Sequence, residues 1–225
     1  MATSTPGSQS WRSLLGAARR LLGGVEGRLG RRVDWALGGG TVLMLRYAHR
    51  VSRDIAVFLH DPQLLPHLSP RLNDQAEAIA RDFVEASSFV KLRCEGGEID
   101  FIVAPDLTDA ARETLVVDGD QVMAETPVEI VTKKAFYRAA DLRPRDLFDL
   151  AVVIDRAGPA LDAATRVLAA KRDVLEARLR VLVPRWRDAA AREIAVLPAG
   201  APYLERAPAL VEAFVVRLAS GGGRR

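Results

Sequence analysis

The spacing of apolar positions changes along this 225-residue chain. Residues 11–29 place apolar side chains three and four positions apart, which predicts an amphipathic helix. Between positions 34 and 125, short runs rich in Val, Ile and Phe alternate with glycine turns and helical patterns, which predicts several strands. After Pro127 the spacing is helical throughout. This order favours an α+β or α/β core of mixed strands and helices, followed by a helical C-terminal part.

The predicted core opens with a short strand over Asp34–Leu37 and a glycine turn. Later elements are a helix over Thr41–Arg50, a strand over Val51–Leu59, a helix over Asp74–Val84, a hairpin of Phe89–Cys94 with Ile99–Ala104, and two strands within Leu115–Glu125. The later helices are predicted at Val128–Ala139, Asp146–Asp155, Pro159–Val183 and Pro208–Ala219. We therefore expect an N-terminal helix with a frayed start (1–29), a core (30–127) and a helical C-terminal domain (128–220).

The composition excludes several classes of protein. Hydrophobic residues make up 49% of the chain, which is enough for a folded core. Charges interrupt every apolar run well before the roughly 18 residues of a membrane span, and no signal peptide is present, so we expect a cytoplasmic protein. The single cysteine, Cys94, excludes an internal disulfide and a cysteine-rich zinc site, and its strand context indicates a buried apolar role. The mild excess of 32 basic over 29 acidic residues is compatible with nucleic-acid binding.

The chemistry centres on a glycine turn before a helix. Gly39 and Gly40 allow a tight turn whose backbone N–H groups can face a phosphate at the helix start. Asp54 lies near the start of the next strand, and Asp100 lies in a later strand that could pair beside it. Magnesium binds one or two carboxylates together with phosphate oxygens, so these residues predict a metal and triphosphate site. A purely structural turn in an unrelated α+β domain is the alternative.

Four motifs follow one another between residues 35 and 151. They are GGGTVLMLRYAHRVSRDIAVF, Glu98-Ile99-Asp100-Phe101, PVEIVTKKAFYR and Arg145-Asp146-Leu147-Phe148-Asp149-Leu150. Together they resemble, in the same order, the motifs of the AbiEii/AbiGii (MenT-like) nucleotidyltransferase toxins of type IV-like toxin–antitoxin systems. The resemblance implies a polymerase-β-like nucleotidyltransferase core with a mixed β-sheet and a helical C-terminal domain. It also implies Mg²⁺ or Mn²⁺ as cofactor, an NTP substrate, tRNA or another RNA as acceptor, and a cognate antitoxin.

The resemblance also implies roles for individual residues. Those expected at the nucleotide are Gly39, Gly40 and Thr41 of the phosphate turn, Arg53, and Lys134, with Lys133 as the substitute if the helix phase is shifted. Asp54 matches the first metal-binding acid and Asp100 the third, and Asp146 matches the acid of the last motif. Arg145 and Asp149 are expected to hold the last helix through buried pairing, and His49 to pack near the turn.

Ala56 departs from the family pattern, which is Asp-x-Asp. Two aspartates that lie two positions apart on a strand project from the same face, where their carboxylates can hold a pair of metal ions. With Ala56 the second metal-binding carboxylate is missing, so we expect an inactive or weakened nucleotidyltransferase. An introduced Asp→Ala substitution and a natural pseudoenzyme both fit the sequence. A catalytically dead protein that binds nucleotide, RNA or antitoxin is therefore the alternative function.

Overall fold

The computed structural model describes residues 10–218, which form two compact units. Within this part of the chain, unit 1 contains 10–42, 52–105 and 114–125, and unit 2 contains 43–51, 106–113 and 126–218. The chain therefore passes between the units several times. One of these passages lies within a helix, after position 42.

Unit 1 is built on a mixed sheet of seven strands in the order β3-β4-β5-β2-β1-β7-β6. The strands are β1 (Trp35–Gly38), β2 (Ile55–Leu59), β3 (Asp82–Ala86), β4 (Phe89–Cys94), β5 (Gly97–Val103), β6 (Arg112–Val117) and β7 (Asp120–Glu125). Strand β2 is parallel to β5 and antiparallel to β1, and β1 is parallel to β7. Strand β4 is antiparallel to both β3 and β5. The mixed sheet confirms the predicted α+β class.

Four helices begin in unit 1: α1 (Ser10–Leu29), α2 (Gly39–Tyr47), α3 (Leu65–Leu68) and α4 (Asp74–Ile79). The predicted amphipathic helix is confirmed as α1, which packs on β5 and β2. Its buried face contains the apolar positions that the spacing predicted, namely Trp11, Leu14, Leu15, Ala18, Leu21 and Leu22, and also Ala17 and Val25. Removing this apolar area from water is what holds the helix on the sheet.

Unit 2 is helical. After the second half of α2 it contains α5 (Pro127–Tyr137), α6 (Pro144–Ala169), α7 (Arg172–Leu182), α8 (Trp186–Glu193) and α9 (Tyr203–Arg217). The side chain of Thr126 caps α5 by accepting a bond from the Glu129 amide, and Pro127 fills the first helical position. Helix α6 packs against both α5 and α9, with Phe148 fully buried at its centre. Within residues 10–218, none of the helices combines the length and apolarity needed to cross a membrane.

Several predicted helices were wrong in extent, among them the helix predicted from Pro208, which begins at Tyr203. The helix predicted to reach Val84 ends at Ile79, because the β-branched and aromatic residues after it pair as strand β3. The predicted break between Asp155 and Pro159 is confirmed as a kink in α6 at Ala157, where φ is −136° and the backbone is not helical. The helix predicted from Pro159 to Val183 is wrong in extent, because it divides into the second half of α6, which ends at Ala169, and α7. A proline removes one backbone donor and crowds the preceding turn, so a bend there is the expected compromise. Helix α8 was not predicted.

Candidate active site

The glycine turn joins β1 to α2 in unit 1. A Cβ atom on Gly38 would lie 2.3 Å from Glu125 Oε2 and 2.5 Å from a ring carbon of Phe58, so no side chain fits there. Gly39 has φ +73°, a left-handed conformation that costs other residues free energy. The turn therefore requires glycine at both positions. It delivers the chain directly into a helix start, where backbone N–H groups lack helical partners.

Thr41 fastens this turn to the neighbouring strand. Its buried hydroxyl donates to the carbonyl oxygen of Asp54 at 2.6 Å and lies 3.0 Å from Ser52 Oγ. Since the hydroxyl is used inside the protein, the backbone N–H is the group of Thr41 that remains suited to a phosphate. The same bond fixes the position of Asp54 relative to Gly40, the preceding residue of the helix start.

Asp54 and Asp100 lie on the adjacent parallel strands β2 and β5, or directly before them. Oδ1 of half-buried Asp54 accepts the Glu98 amide at 3.0 Å. Asp100 is the registered partner of Ala56, and a Cβ on Gly39 would lie 3.0 Å from the Ala56 Cβ. The turn, both carboxylates and Ala56 therefore occupy one place in the sheet of unit 1.

Lys91 is a member of this site that the sequence did not predict. It is the registered partner of Asp100 from strand β4. Its ammonium lies 2.7 Å and 2.9 Å from the two oxygens of Asp100 and 2.7 Å from Glu98 Oε2. Burial opposes its charge, but the bonds to Asp100 and Glu98 outweigh this and the pKa of Lys91 is raised. Burial raises the pKa of Asp100, while the Lys91 bond lowers the pKa of Glu98.

The donor set fits one divalent cation and does not fit a pair. Among residues 10–218, no three His, Cys, Asp or Glu side chains are grouped to hold a metal. Asp54 and Asp100 are the two carboxylates predicted for the metal, while Glu98 beside them is paired with Lys91, and magnesium is held by one or two carboxylates plus substrate phosphates. The methyl group of Ala56 supplies no third oxygen, which a shared ligand for two metals would require.

Unit 2 holds a buried cluster around Asp149. Arg50 donates to both oxygens of this carboxylate, from Nε at 2.6 Å and from Nη2 at 2.7 Å. His49 Nε2 lies 2.7 Å from Oδ1, and Lys134 Nζ lies 2.5 Å from Oδ2. Burial opposes the charge, but Arg50 and Lys134 hold the pKa of Asp149 well below 3.8. The predicted buried pairing of Asp149 is confirmed, and His49 is a partner within the cluster.

Asp146 extends the cluster by one turn of α6. Its Oδ1 accepts Lys134 Nζ at 2.9 Å, and Arg138 Nη1 lies 3.3 Å away. Burial again opposes the charge, and Lys134 with Arg138 lowers the pKa of Asp146. Lys134 contacts both Asp146 and Asp149. Lys134 and Asp146, the two residues of unit 2 that were predicted to act in catalysis, are therefore in direct contact.

Lys133 points to a different set of groups. Its ammonium lies 3.1 Å from Glu129 Oε1, and the side chain is 4% exposed. Glu129 is fully buried and also accepts the backbone N–H groups of Leu107 and Thr108 at 2.9 Å. Glu129 of the Glu-Ile-x-x-x-Lys motif therefore holds the 106–113 segment on α5 through these hydrogen bonds.

The predicted site residues fall into two groups by unit. Unit 1 brings together Gly39, Gly40, Thr41, Asp54, Ala56 and Asp100, with Arg53 exposed beside Asp54. Unit 2 brings Lys134 to Asp146 and directs Lys133 to Glu129. Cys94, expected to be buried, is half-buried, and burial raises the pKa of its thiol. A thiol with a raised pKa is a poor nucleophile, in line with its predicted passive role.

Sequence reasoning missed Lys91 and Arg50. Lys91 could have been found from its positive charge, which lies across the predicted hairpin from the negative charge of Asp100. Arg50 could have been found from its position in the first motif, next to His49. Both residues neutralise buried or half-buried carboxylates, a role that spacing along the chain alone does not reveal.

Comparison with solved structures finds nucleotidyltransferases and a nucleotidyltransferase-like protein among the matches. MenT4, a nucleotidyltransferase toxin from Mycobacterium tuberculosis H37Rv, is 16% identical over 96% of this chain and 94% of its own, with a TM-score of 0.45. An antigenic nucleotidyltransferase-like protein from Paracoccidioides brasiliensis is 18% identical over 82% of this chain and 92% of its own, with a TM-score of 0.43. The antibiotic-resistance factor ANT(2'')-Ia is 13% identical over 81% and 100%, with a TM-score of 0.44.

The structure thus combines a mixed sheet, a glycine turn and neighbouring carboxylates. No curated protein matches the chain. The family model described as nucleotidyl transferase AbiEii toxin, type IV TA system, matches residues 20–214. The chain belongs to this toxin family of nucleotidyltransferases.

Proposed function

We propose that this protein is a toxin-type nucleotidyltransferase that transfers a nucleoside monophosphate from an NTP to the 3′ end of an RNA, with tRNA as the acceptor. We further propose that Ala56 weakens or abolishes this reaction in the chain as it stands. The toxin acts in the cytoplasm and is neutralised by a cognate antitoxin. Membership of the AbiEii toxin family supports the class of reaction.

The observation that carries the proposal is the grouping of Asp54 and Asp100 beside the glycine turn. In nucleotidyl transfer a hydroxyl attacks the α-phosphorus of the NTP and pyrophosphate leaves, so negative charge on the phosphates must be held and neutralised. The backbone N–H groups of Gly39, Gly40 and Thr41 are suited to hold phosphate oxygens. Arg53, which is exposed and precedes Asp54 in the chain, adds positive charge.

Asp54 and Asp100 would hold one Mg²⁺ or Mn²⁺. The cation, when bound, neutralises phosphate charge and makes the attacking hydroxyl more acidic. In our proposal Lys134, which the family resemblance assigns to the triphosphate, is held with Asp146 as a charged pair of fixed geometry within unit 2. Lys133, with its ammonium against Glu129, is assigned to holding the 106–113 segment.

The effect of Ala56 follows from the missing carboxylate. Metal ligation supplies several kcal/mol of transition-state stabilisation, and each ~1.4 kcal/mol is a factor of ten in rate. Loss of a ligand shared by two metals therefore costs about two or more powers of ten. The expected consequence is a protein that folds normally but transfers nucleotides slowly or not at all.

Label transfer tests the reaction. The protein and its Ala56→Asp variant are incubated with Mg²⁺, total tRNA and each labelled NTP in turn. We expect Ala56→Asp to label the RNA 3′ end at least about a hundredfold faster than the parent. Ala56→Asn, which has nearly the same shape but no charge, is the matched control and should resemble the parent. No transfer by Ala56→Asp with any NTP would refute the enzymatic proposal.

A nucleotide- or RNA-binding pseudoenzyme is the second candidate, and Ala56 is the observation that favours it. Calorimetry with each NTP separates the two. Binding of an NTP by the parent and by Ala56→Asp, without turnover by either, would support the pseudoenzyme. Turnover restored by Ala56→Asp would exclude it.

A further inference from the structure

One row of paired residues crosses four strands at the site. Lys91 on β4 pairs with Asp100 on β5, which pairs with Ala56 on β2, which pairs with Gly38 on β1. Paired residues project from the same face of a sheet, so the row lies on one side. Lys91 and Asp100 are its two charged members.

Lys91 is bound to two carboxylates at once. Glu98 and Asp100 are two positions apart on β5 and so share a face, and both reach the same ammonium at 2.7 Å. About a quarter of the Lys91 side chain and a fifth of the Asp100 side chain are exposed, so water screens this contact only in part. The ammonium group of Lys91 therefore already lies beside Asp100, the acid that the proposed function assigns to metal binding.

An ammonium and a divalent cation compete for the same carboxylate. A metal ion that approached Asp100 would meet the positive charge of Lys91 at short range and would have to share oxygens already used in hydrogen bonds. Arg93 also lies 3.5 Å from Glu98 and pairs with Asp82. The local formal charge of Asp54, Asp82, Glu98, Asp100, Lys91 and Arg93 is −2, the sum of four negative charges and two positive charges. A single divalent cation balances this charge, whereas a second one would leave a positive excess.

We propose that Lys91 is a resident cation of the site, which neutralises Asp100 and Glu98 and keeps a second divalent cation from binding. This inference rests on the proposed function for the identity of the metal site. Lys91 is thus a positioning residue that sets how many metal ions the site holds, and through that number how phosphate charge is neutralised.

The test measures binding of Mn²⁺ to the full chain, without nucleotide, by the electron paramagnetic resonance signal of the free ion. The variants are Lys91→Met, which removes the charge, and Lys91→Arg, which keeps it. Arg81→Met is the matched control, because Arg81 is exposed, pairs with Glu95 and changes the net charge by the same amount. Urea unfolding of each variant verifies that it is folded.

We expect Lys91→Met to bind Mn²⁺ at least tenfold more tightly than the parent, or to bind one more ion per chain. Lys91→Arg and Arg81→Met should bind as the parent does. Adding Glu98→Gln to Lys91→Met should reverse much of the gain, because it removes one of the released charges. If Lys91→Met gains no Mn²⁺ affinity although it is folded, the inference is wrong.

This readout separates the inference from the proposed function. A gain of Mn²⁺ binding in Lys91→Met supports the resident cation even if Ala56→Asp transfers no nucleotide. Conversely, transfer by Ala56→Asp together with unchanged Mn²⁺ binding in Lys91→Met would overturn the inference and leave the function standing.

Discussion

Ala56 and Asp100 are directly paired residues of the parallel strands β2 and β5, so a carboxylate introduced at position 56 would stand beside Asp100 on the same face of the sheet. The glycine turn lies against the same position, since a Cβ on Gly39 would be 3.0 Å from the Cβ of Ala56. A one-residue change at position 56 therefore alters the set of acids at this place in the sheet.

Ala56→Asp should raise the affinity for Mn²⁺ at least tenfold, because it adds a third carboxylate oxygen donor to Asp54 and Asp100. Without metal it should lower the free energy of unfolding by about 0.2–1 kcal/mol, the cost of like charges on adjacent strands. Millimolar Mn²⁺ should reverse that loss. Paramagnetic resonance titration and urea unfolding measure the two effects. Equal Mn²⁺ affinity in Ala56→Asp and Ala56→Asn would contradict this prediction.

Asp149→Ala should destabilise the protein by about 3–5 kcal/mol, because it leaves the buried charges of Arg50 and Lys134 without their shared carboxylate. Urea unfolding followed by circular dichroism measures the change. Glu176→Ala is the control in the same unit, since its pair with Arg172 is partly exposed and should contribute about 0.3–0.5 kcal/mol. Similar losses of unfolding free energy in both variants would mean that burial does not increase the contribution of the Asp149 cluster to stability.

Stability should fall in acid because of Asp146 and Asp149. Both have a pKa below 3.8 in the folded protein, so the unfolded chain binds more protons than the folded one as the pH falls. Their contribution is therefore fully present above the unfolded value and is lost as the pH falls through their folded values. Urea unfolding at intervals from about pH 5 to about pH 2 measures the slope. Asp149→Asn should flatten this slope, and an unchanged slope would contradict the assignment.

Gly39→Ala should destabilise the protein by roughly 1–2 kcal/mol, because φ +73° is left-handed and the new Cβ presses on Ala56. It should also weaken NTP binding by displacing the turn. Gly23→Ala is the control, since Gly23 lies in α1 with no atom within 4 Å of its added Cβ, and it should stabilise by roughly 0.5–1 kcal/mol. Thermal unfolding and calorimetry follow both effects. Tolerance of Gly39→Ala would show that the turn can relax.

Local patterns were enough to predict most elements of the fold. The spacing of Trp11, Leu14 and Leu21 determined α1 and its buried face, because an amphipathic helix needs only its own periodicity to define a core side. Tertiary pairing overrode local pattern at Val84, where strand β3 replaced a predicted helical end. The break predicted at Gly158-Pro159 was local in origin and is present as the kink of α6 at Ala157.

The sequence by itself determined the glycine turn, the acids Asp54 and Asp100, and the absence of a carboxylate at Ala56, because residue identity and short-range spacing carry these features. The partner of Asp100 was decided only by the tertiary structure. A turn centred on Gly96-Gly97 would have placed Arg93 opposite Asp100, whereas the observed pairing of Cys94 with Gly97 places Lys91 there. Hairpin register depends on backbone geometry and on packing of the whole sheet. The local pattern is therefore compatible with either Arg93 or Lys91 opposite Asp100, and only the folded sheet determines that it is Lys91.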